Sequence, residues 1–231
     1  MCSSRILLSC TLIFLSSTLL IAQEESLDNF RLMHNPSNTI TVSNDTETIG
    51  TPLYNKDWEL GHVVFASGSK SKQTLLIYNS FTNELFFKGE DEKIQVLDNS
   101  KLKGFSFDIR NEQFVFGYAS SEFDFDQRTP LKVLYDGKTK LFVLHQTAKQ
   151  SGNSKDPLTG KVTNRFIPFE TILIRNADGE FVKTRIRKKN LVNDLGAHKK
   201  ELEAFIKESK NKVKSEEDAA KIIAFFDTLA N

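Results

Sequence analysis

The residues of this chain that could do chemistry are few and scattered. Gly137-Lys138-Thr139 has the form of the end of a phosphate-binding loop, in which backbone amides and a lysine cradle phosphate oxygens. That loop needs a glycine five positions earlier, where Lys132 stands. It also needs a helix afterwards, where Leu141-Phe142-Val143-Leu144 reads as strand. The triplet is therefore expected to be a hairpin turn. Glu122, Asp124 and Asp126 alternate with Phe123 and Phe125. On a strand the three carboxylates would share one face and could hold a hard cation such as calcium, although the glycine and distant glutamate of an EF-hand loop are not in register. The same alternation suits a solvated strand face with two core phenylalanines behind it.

His34, His62, His145 and His198 are too far apart for a sequence-local metal or protease motif, and no nucleophile elbow occurs. One cluster of charge stands out: Lys183, Arg185, Arg187, Lys188 and Lys189. On a strand, Lys183, Arg185 and Arg187 would share a face and could hold an anion such as a lipid headgroup, an acidic polysaccharide or phosphate. The competing reading is an edge strand protected from aggregation by its charges.

These groups must be positioned by the elements around them. Met1–Arg5 carries one positive charge, Ile6–Ala22 is apolar with scattered Ser and Thr, and Gln23-Glu24-Glu25 follows. This is the layout of a secretory signal peptide, with cleavage expected after Ala22. Cys2 and Cys10 would leave with it, so the mature chain would have no thiol. Arg5 would leave too, and the remaining 30 basic and 30 acidic residues balance. That balance argues against a nucleic-acid binder. It is uneven, since residues 181–231 hold 12 Lys and Arg against 8 Asp and Glu. No second apolar run is long enough to span a membrane.

Residues 23–50 are mostly polar and read as a loosely ordered leader, with Ile40 and Val42 the only strand-like alternation. Residues 51–187 read as a β domain. Its strands are expected at His62–Ala66, Thr74–Tyr78, Glu84–Lys88, Lys93–Leu97, Phe105–Ile109, Gln113–Tyr118, Leu131–Tyr135, Lys140–His145, Glu170–Ile174 and Phe181–Arg187. Short connectors such as Asn176-Ala177-Asp178-Gly179 favour antiparallel pairing. The Ser-, Gly- and Lys-rich stretch over 146–163 reads as a long exposed loop. Residues 188–231 turn helical. Leu202, Phe205 and Ile206 form one stripe, and Ala219, Ile222, Ile223, Phe226 and Leu229 form another behind a capping box at Ser215-Glu216-Glu217-Asp218. The expected fold is α+β and mainly β: an antiparallel sheet, curved, rolled or sandwich-like, with a C-terminal helical pair packed on it.

The Gly61–Phe65 strand, the hairpin from Tyr78-Asn79 to Glu84-Leu85, and the lysine-rich tail with Val213-Lys214-Ser215-Glu216-Glu217-Asp218 before Ile222-Ile223 resemble uncharacterised extracytoplasmic proteins of Bacteroidetes. The resemblance implies export but no activity and no site. The functional expectation is an exported, non-enzymatic protein without a cofactor, in the periplasm, at the outer membrane or outside the cell. It would bind a partner or envelope component, with an anionic ligand at the basic cluster as one option. A carrier of lipid or another apolar ligand is the alternative suggested by the 19 phenylalanines. A secreted hydrolase with a dispersed site is the third.

Overall fold

A computed structural model describes residue 27 and residues 46–89, 92–152, 158, 160 and 162–229. The expected signal peptide, the Ile40/Val42 alternation and most of the expected leader lie outside these residues. Among the described residues there are eleven strands: β1 (Thr46–Ile49), β2 (Glu59–Phe65), β3 (Thr74–Asn79), β4 (Glu84–Lys88), β5 (Ile94–Val96), β6 (Leu102–Phe107), β7 (Glu112–Val115), β8 (Leu131–Asp136), β9 (Lys140–Gln150), β10 (Val162–Arg175) and β11 (Phe181–Thr184). They form one sheet in the order β1-β10-β9-β8-β7-β6-β2-β3-β4-β5, with β11 also paired to β10. Every pairing is antiparallel except β1 on β10. Helices α1 (Lys188–Asp194), α2 (Lys199–Glu208) and α3 (Glu216–Leu229) follow. The α+β, mainly β reading holds, with a third short helix ahead of the expected pair.

The sheet curls because its inner faces are crowded with aromatic side chains that must leave water. Along β2 the inward set is Gly61, Val63 and Phe65, and β6 adds Phe105 and Phe107. Burying each such phenylalanine contributes on the order of 1.5–3 kcal/mol. Gly61 is required at its place because the Ser106 carbonyl on β6 lies where a Cβ would go. Phe105 and Phe114 stack at 4.6 Å, and Phe107 meets Phe114 edge-on at 5.9 Å. The phenylalanines in this part of the sheet fill its interior with one another.

A second core lies under the helices. Leu202 and Ile206 of α2 and Ala219, Ile222 and Ile223 of α3 pack with Leu141 and Ile174. The capping box forms as expected: the Ser215 hydroxyl accepts from the Asp218 amide at 3.1 Å, and the Asp218 carboxylate accepts from the Lys214 amide at 2.9 Å. A third core, of Phe142, Leu144 and Leu173, lies on the opposite face of β9 and β10 under Phe125 and Phe181.

Two expectations need correction here. Residues 146–150 and 162–163 are not loop: β9 runs on to Gln150 and β10 begins at Val162, with Arg165 opposite Gln150 and Pro168 opposite Thr147. The ladder overrides a polar composition because each strand supplies the backbone partners of the other. The polar stretch before residue 51 also contains a strand, β1, which borrows its partners from β10.

These strand extensions make a three-stranded arm of β1, β9 and β10 beyond the end of β8. Its inner face rests on the β3–β4 turn. The Thr147 amide donates to the Ser80 carbonyl at 3.1 Å, the Ser80 and Thr147 hydroxyls are 2.8 Å apart, and Phe81 meets Phe166 at 5.3 Å.

Candidate functional site

The phosphate-loop look-alike is a β8–β9 turn, and an anion from the same chain already occupies it. Asp227 of α3 is buried, and both of its carboxylate oxygens lie 3.1 Å from the Thr139 amide. The Tyr135 hydroxyl donates to the same carboxylate at 3.2 Å. A Cβ on Gly137 would collide with Asp227 Oδ2 and the Tyr135 hydroxyl, so a side chain there would push this pair apart. The turn therefore pins the end of α3 to the sheet, and the anion it holds is structural.

Glu122, Asp124 and Asp126 do not share a strand face. Residues 121–124 form a tight turn closed by paired backbone bonds between Ser120 and Phe125, with Asp124 in the left-handed region at φ 53°. Phe123 and Phe125 turn inward to the third core. Asp126 is held by Arg128 at 3.0 Å and by the Thr129 hydroxyl at 3.2 Å. Burial raises its pKa, but the bonds from Arg128 and Thr129 outweigh it and keep the carboxyl below the ordinary range. Among the described residues no group of three or more His, Cys, Asp or Glu side chains is placed to hold a metal ion.

A polar chain missed by sequence reasoning runs beneath the N-terminus of α3. Arg110 Nε lies 3.0 Å from Glu59 and 3.2 Å from Glu112. Glu112 accepts from the Tyr54 hydroxyl at 3.0 Å and from Lys132 Nζ at 3.1 Å. Lys132 also reaches Glu216 of α3 at 2.9 Å. Burial works against the Lys132 ammonium, but Glu216 and Glu112 more than offset it and raise its pKa. Burial, then the Glu112 carboxylate, pushes the Tyr54 phenol well above its usual range.

His145 abuts this chain, its ring 4.6 Å from that of Tyr54. Its Nδ1 is 3.1 Å from Glu170, and its Nε2 is buried with no hydrogen-bond partner. Burial, then the positive charges of Lys132 and Arg110, lower its pKa to about 3. The pairing has the composition of a general-base dyad, but the nitrogen that would take a proton is sealed in the core. Tyr54 and Glu112 are 58 residues apart and Lys132 and Glu216 are 84 apart, so no linear pattern announces these contacts; the pairing of the strands brings them together.

The basic cluster splits. Only Lys183 is in β11; Arg185 leaves the strand, Arg187 precedes α1, and Lys188 and Lys189 form its first turn. The chain bends because Thr184 bonds Asp194 at 2.7 Å and α1 begins three residues beyond Arg185. Of Lys183, Arg185 and Arg187, expected on one strand face, only Lys183 is in the strand; Arg185 lies one residue beyond its end and Arg187 caps α1. None of the five makes an ion pair with a described residue.

A further exposed feature is the outer face of the arm. Residues opposite one another in a ladder share a face, so Ile49, Arg165, Ile167 and Phe169 stand together with Gln146, Ala148 and Gln150. Ile49, Ile167 and Phe169 are 46%, 40% and 44% exposed, unusually open for large apolar side chains side by side. The loop bearing Tyr118, Phe123 and Phe125 covers this face over Phe142, Leu144 and Leu173 and stops there. Lys183, opposite Leu173, stands on the same face, with Arg185 two residues further along the chain. On this face β9, β10 and β11 place no carboxylate, and β1 places one, Glu47, at the register position opposite Thr163. The arrangement offers an apolar centre with cations at both ends. Between residues 166 and 171 the outer edge of β10 is covered by neither β1 nor β11, and Pro168 stands in that stretch, where an edge tolerates a missing donor.

No helix among the described residues is long and apolar enough to cross a membrane. No family model matches the chain, and neither the curated proteins nor the solved structures contain a match to it.

Proposed function

We propose that this chain is an exported, non-enzymatic binding protein that attaches to an anionic component of the cell envelope through the outer face of the β1–β9–β10 arm. The observation that carries the proposal is the exposed Ile49–Ile167–Phe169 patch on a face where Arg165 and Lys183 outnumber the one carboxylate, Glu47 of β1. Exposed apolar patches rimmed by polar groups mark interaction surfaces, and one sign of charge selects the opposite sign in a partner. Export rests on the signal-like residues 1–22, and kinship with the extracytoplasmic Bacteroidetes group belongs to the same proposal.

Two further observations favour binding over the other readings. Of the 19 phenylalanines that suggest an apolar-ligand carrier, 13 pack in or against the three cores. The His145–Glu170 pair that suggests a hydrolase presents no accessible nitrogen. The test uses residues 23–231 mixed with envelopes from the source cell. The proposal expects salt-sensitive retention that Phe169→Ser and Arg185→Glu each reduce. Retention indifferent to both substitutions would remove the proposal.

A further inference from the structure

The envelope component can be specified from the chemistry of the face itself, an inference that rests on the reading above. We infer that the arm docks on an anionic lipid bilayer surface, with Ile167 and Phe169 entering the headgroup region and Arg165, Lys183 and Arg185 lying against phosphates. Three properties of the face fit a bilayer. The apolar centre is convex in chemistry rather than pocketed: Ile49, Ile167 and Phe169 stand on a sheet surface and project from it, as insertion requires. The cations lie at its two ends, Arg165 beside Ile49 at one and Lys183 beyond Phe169 at the other, so they can meet headgroups while the centre descends. None of the three is drawn into an ion pair with a described residue, so their charge remains available to lipid.

A protein partner would ask for shape-matched hydrogen-bond groups at the rim. This rim offers Gln146, Gln150 and long flexible cations, which suit a fluid surface of phosphates. Polysaccharide anions would use the cations but give Ile167 and Phe169 nothing to enter. Each lysine or arginine near an anionic membrane adds on the order of fivefold to binding, and burial of a large apolar side chain adds about tenfold or more. Neither term alone anchors a protein, but together they give reversible attachment.

The test is flotation of residues 23–231 with vesicles of phosphatidylcholine alone and with 30 mol% phosphatidylglycerol (about one lipid in three, enough for a clearly negative surface). The expected result is binding to the anionic vesicles, little to the neutral ones, and reversal by high salt. Arg165→Gln, Lys183→Gln and Arg185→Gln together should cut binding roughly a hundredfold, and Ile167→Ser with Phe169→Ser at least tenfold. All five positions are solvent-facing, and an unchanged urea midpoint confirms that the variants fold.

No binding to anionic vesicles overturns the inference, as does binding insensitive to the apolar pair. If vesicles fail while envelope retention still depends on the arm, the lipid assignment falls and the envelope reading stands. Retention on a sulfated polysaccharide column that ignores Ile167 and Phe169 also overturns the lipid assignment.

Discussion

Acid should destabilise this protein through His145 in particular. The imidazole is buried against Tyr54, and its pKa is lowered from the ordinary 6.5 to about 3. In the unfolded chain it regains its ordinary value. Between those two pKa values the unfolded state binds a proton that the folded state refuses, so stability rises with pH across the window from 3 to 6.5 and is lost as pH falls through it. A full shift of that size would remove about 3 kcal/mol on going from pH 7 to pH 4. Glu170, 3.1 Å from Nδ1, favours the imidazolium and works the other way, so the expected loss is about 1–3 kcal/mol. The assay is urea denaturation at pH 7 and pH 4 for the parent and for His145→Gln, whose side chain can still donate to Glu170. Other titrating groups contribute nearly equally to both proteins, so the difference between the two pH losses reports His145. An equal acid loss in the two would refute the burial argument, and a larger loss in the variant would reverse its sign.

Asp227→Ala should cost about 1–3 kcal/mol, because the buried Thr139 amide loses its acceptor; Asp227→Asn should cost less, and thermal unfolding checks the order. Gly137→Ala should destabilise by a similar amount in the parent and by less in an Asp227→Ala background, where one of the colliding atoms is gone; a double-mutant cycle in urea reads the difference. Lys132→Met should cost about 1–2 kcal/mol, since a part-buried charged hydrogen bond to Glu112 is lost while Arg110 and Tyr54 still hold that carboxylate. Glu216→Gln should cost under about 1 kcal/mol, because Glu216 is more exposed and solvent screens it.

How much of this was legible in the sequence differs from element to element. The strand of Phe105 and Phe107 announces itself through apolar residues at a spacing of two, and those of Leu131 and Leu141 through runs of leucine, valine and phenylalanine that are buried on both faces of β9. The α3 start is equally legible, since Ser215 and Asp218 carry the cap in their own side chains. The arm was obscured. The stretch from Gln146 to Gln150 has no apolar alternation, and its strand state comes from pairing with β10, a contact made across a connection that a linear reading takes for loop. Ile167 and Phe169 do recur at a spacing of two, and extending the expected strand at Glu170 backward along that spacing would have found it. The carboxylate trio was misread because a period of two also fits a turn when Asp124 takes a positive φ. The polar chain through Tyr54, Glu112, Lys132 and His145 had no linear signal, as four separate segments supply it.

The most direct test of the account is to ask which surface the envelope touches. Residues 23–231 contain no cysteine, so one introduced thiol gives one label. Ala148→Cys places an environment-sensitive dye on the outer face of the arm opposite Ile167, and Glu203→Cys places the same dye on an exposed position of α2. On adding envelopes, the account predicts that the dye at 148 moves into a less polar environment while the dye at 203 is unchanged. A bound protein that responds at 203 and stays silent at 148 would contradict it.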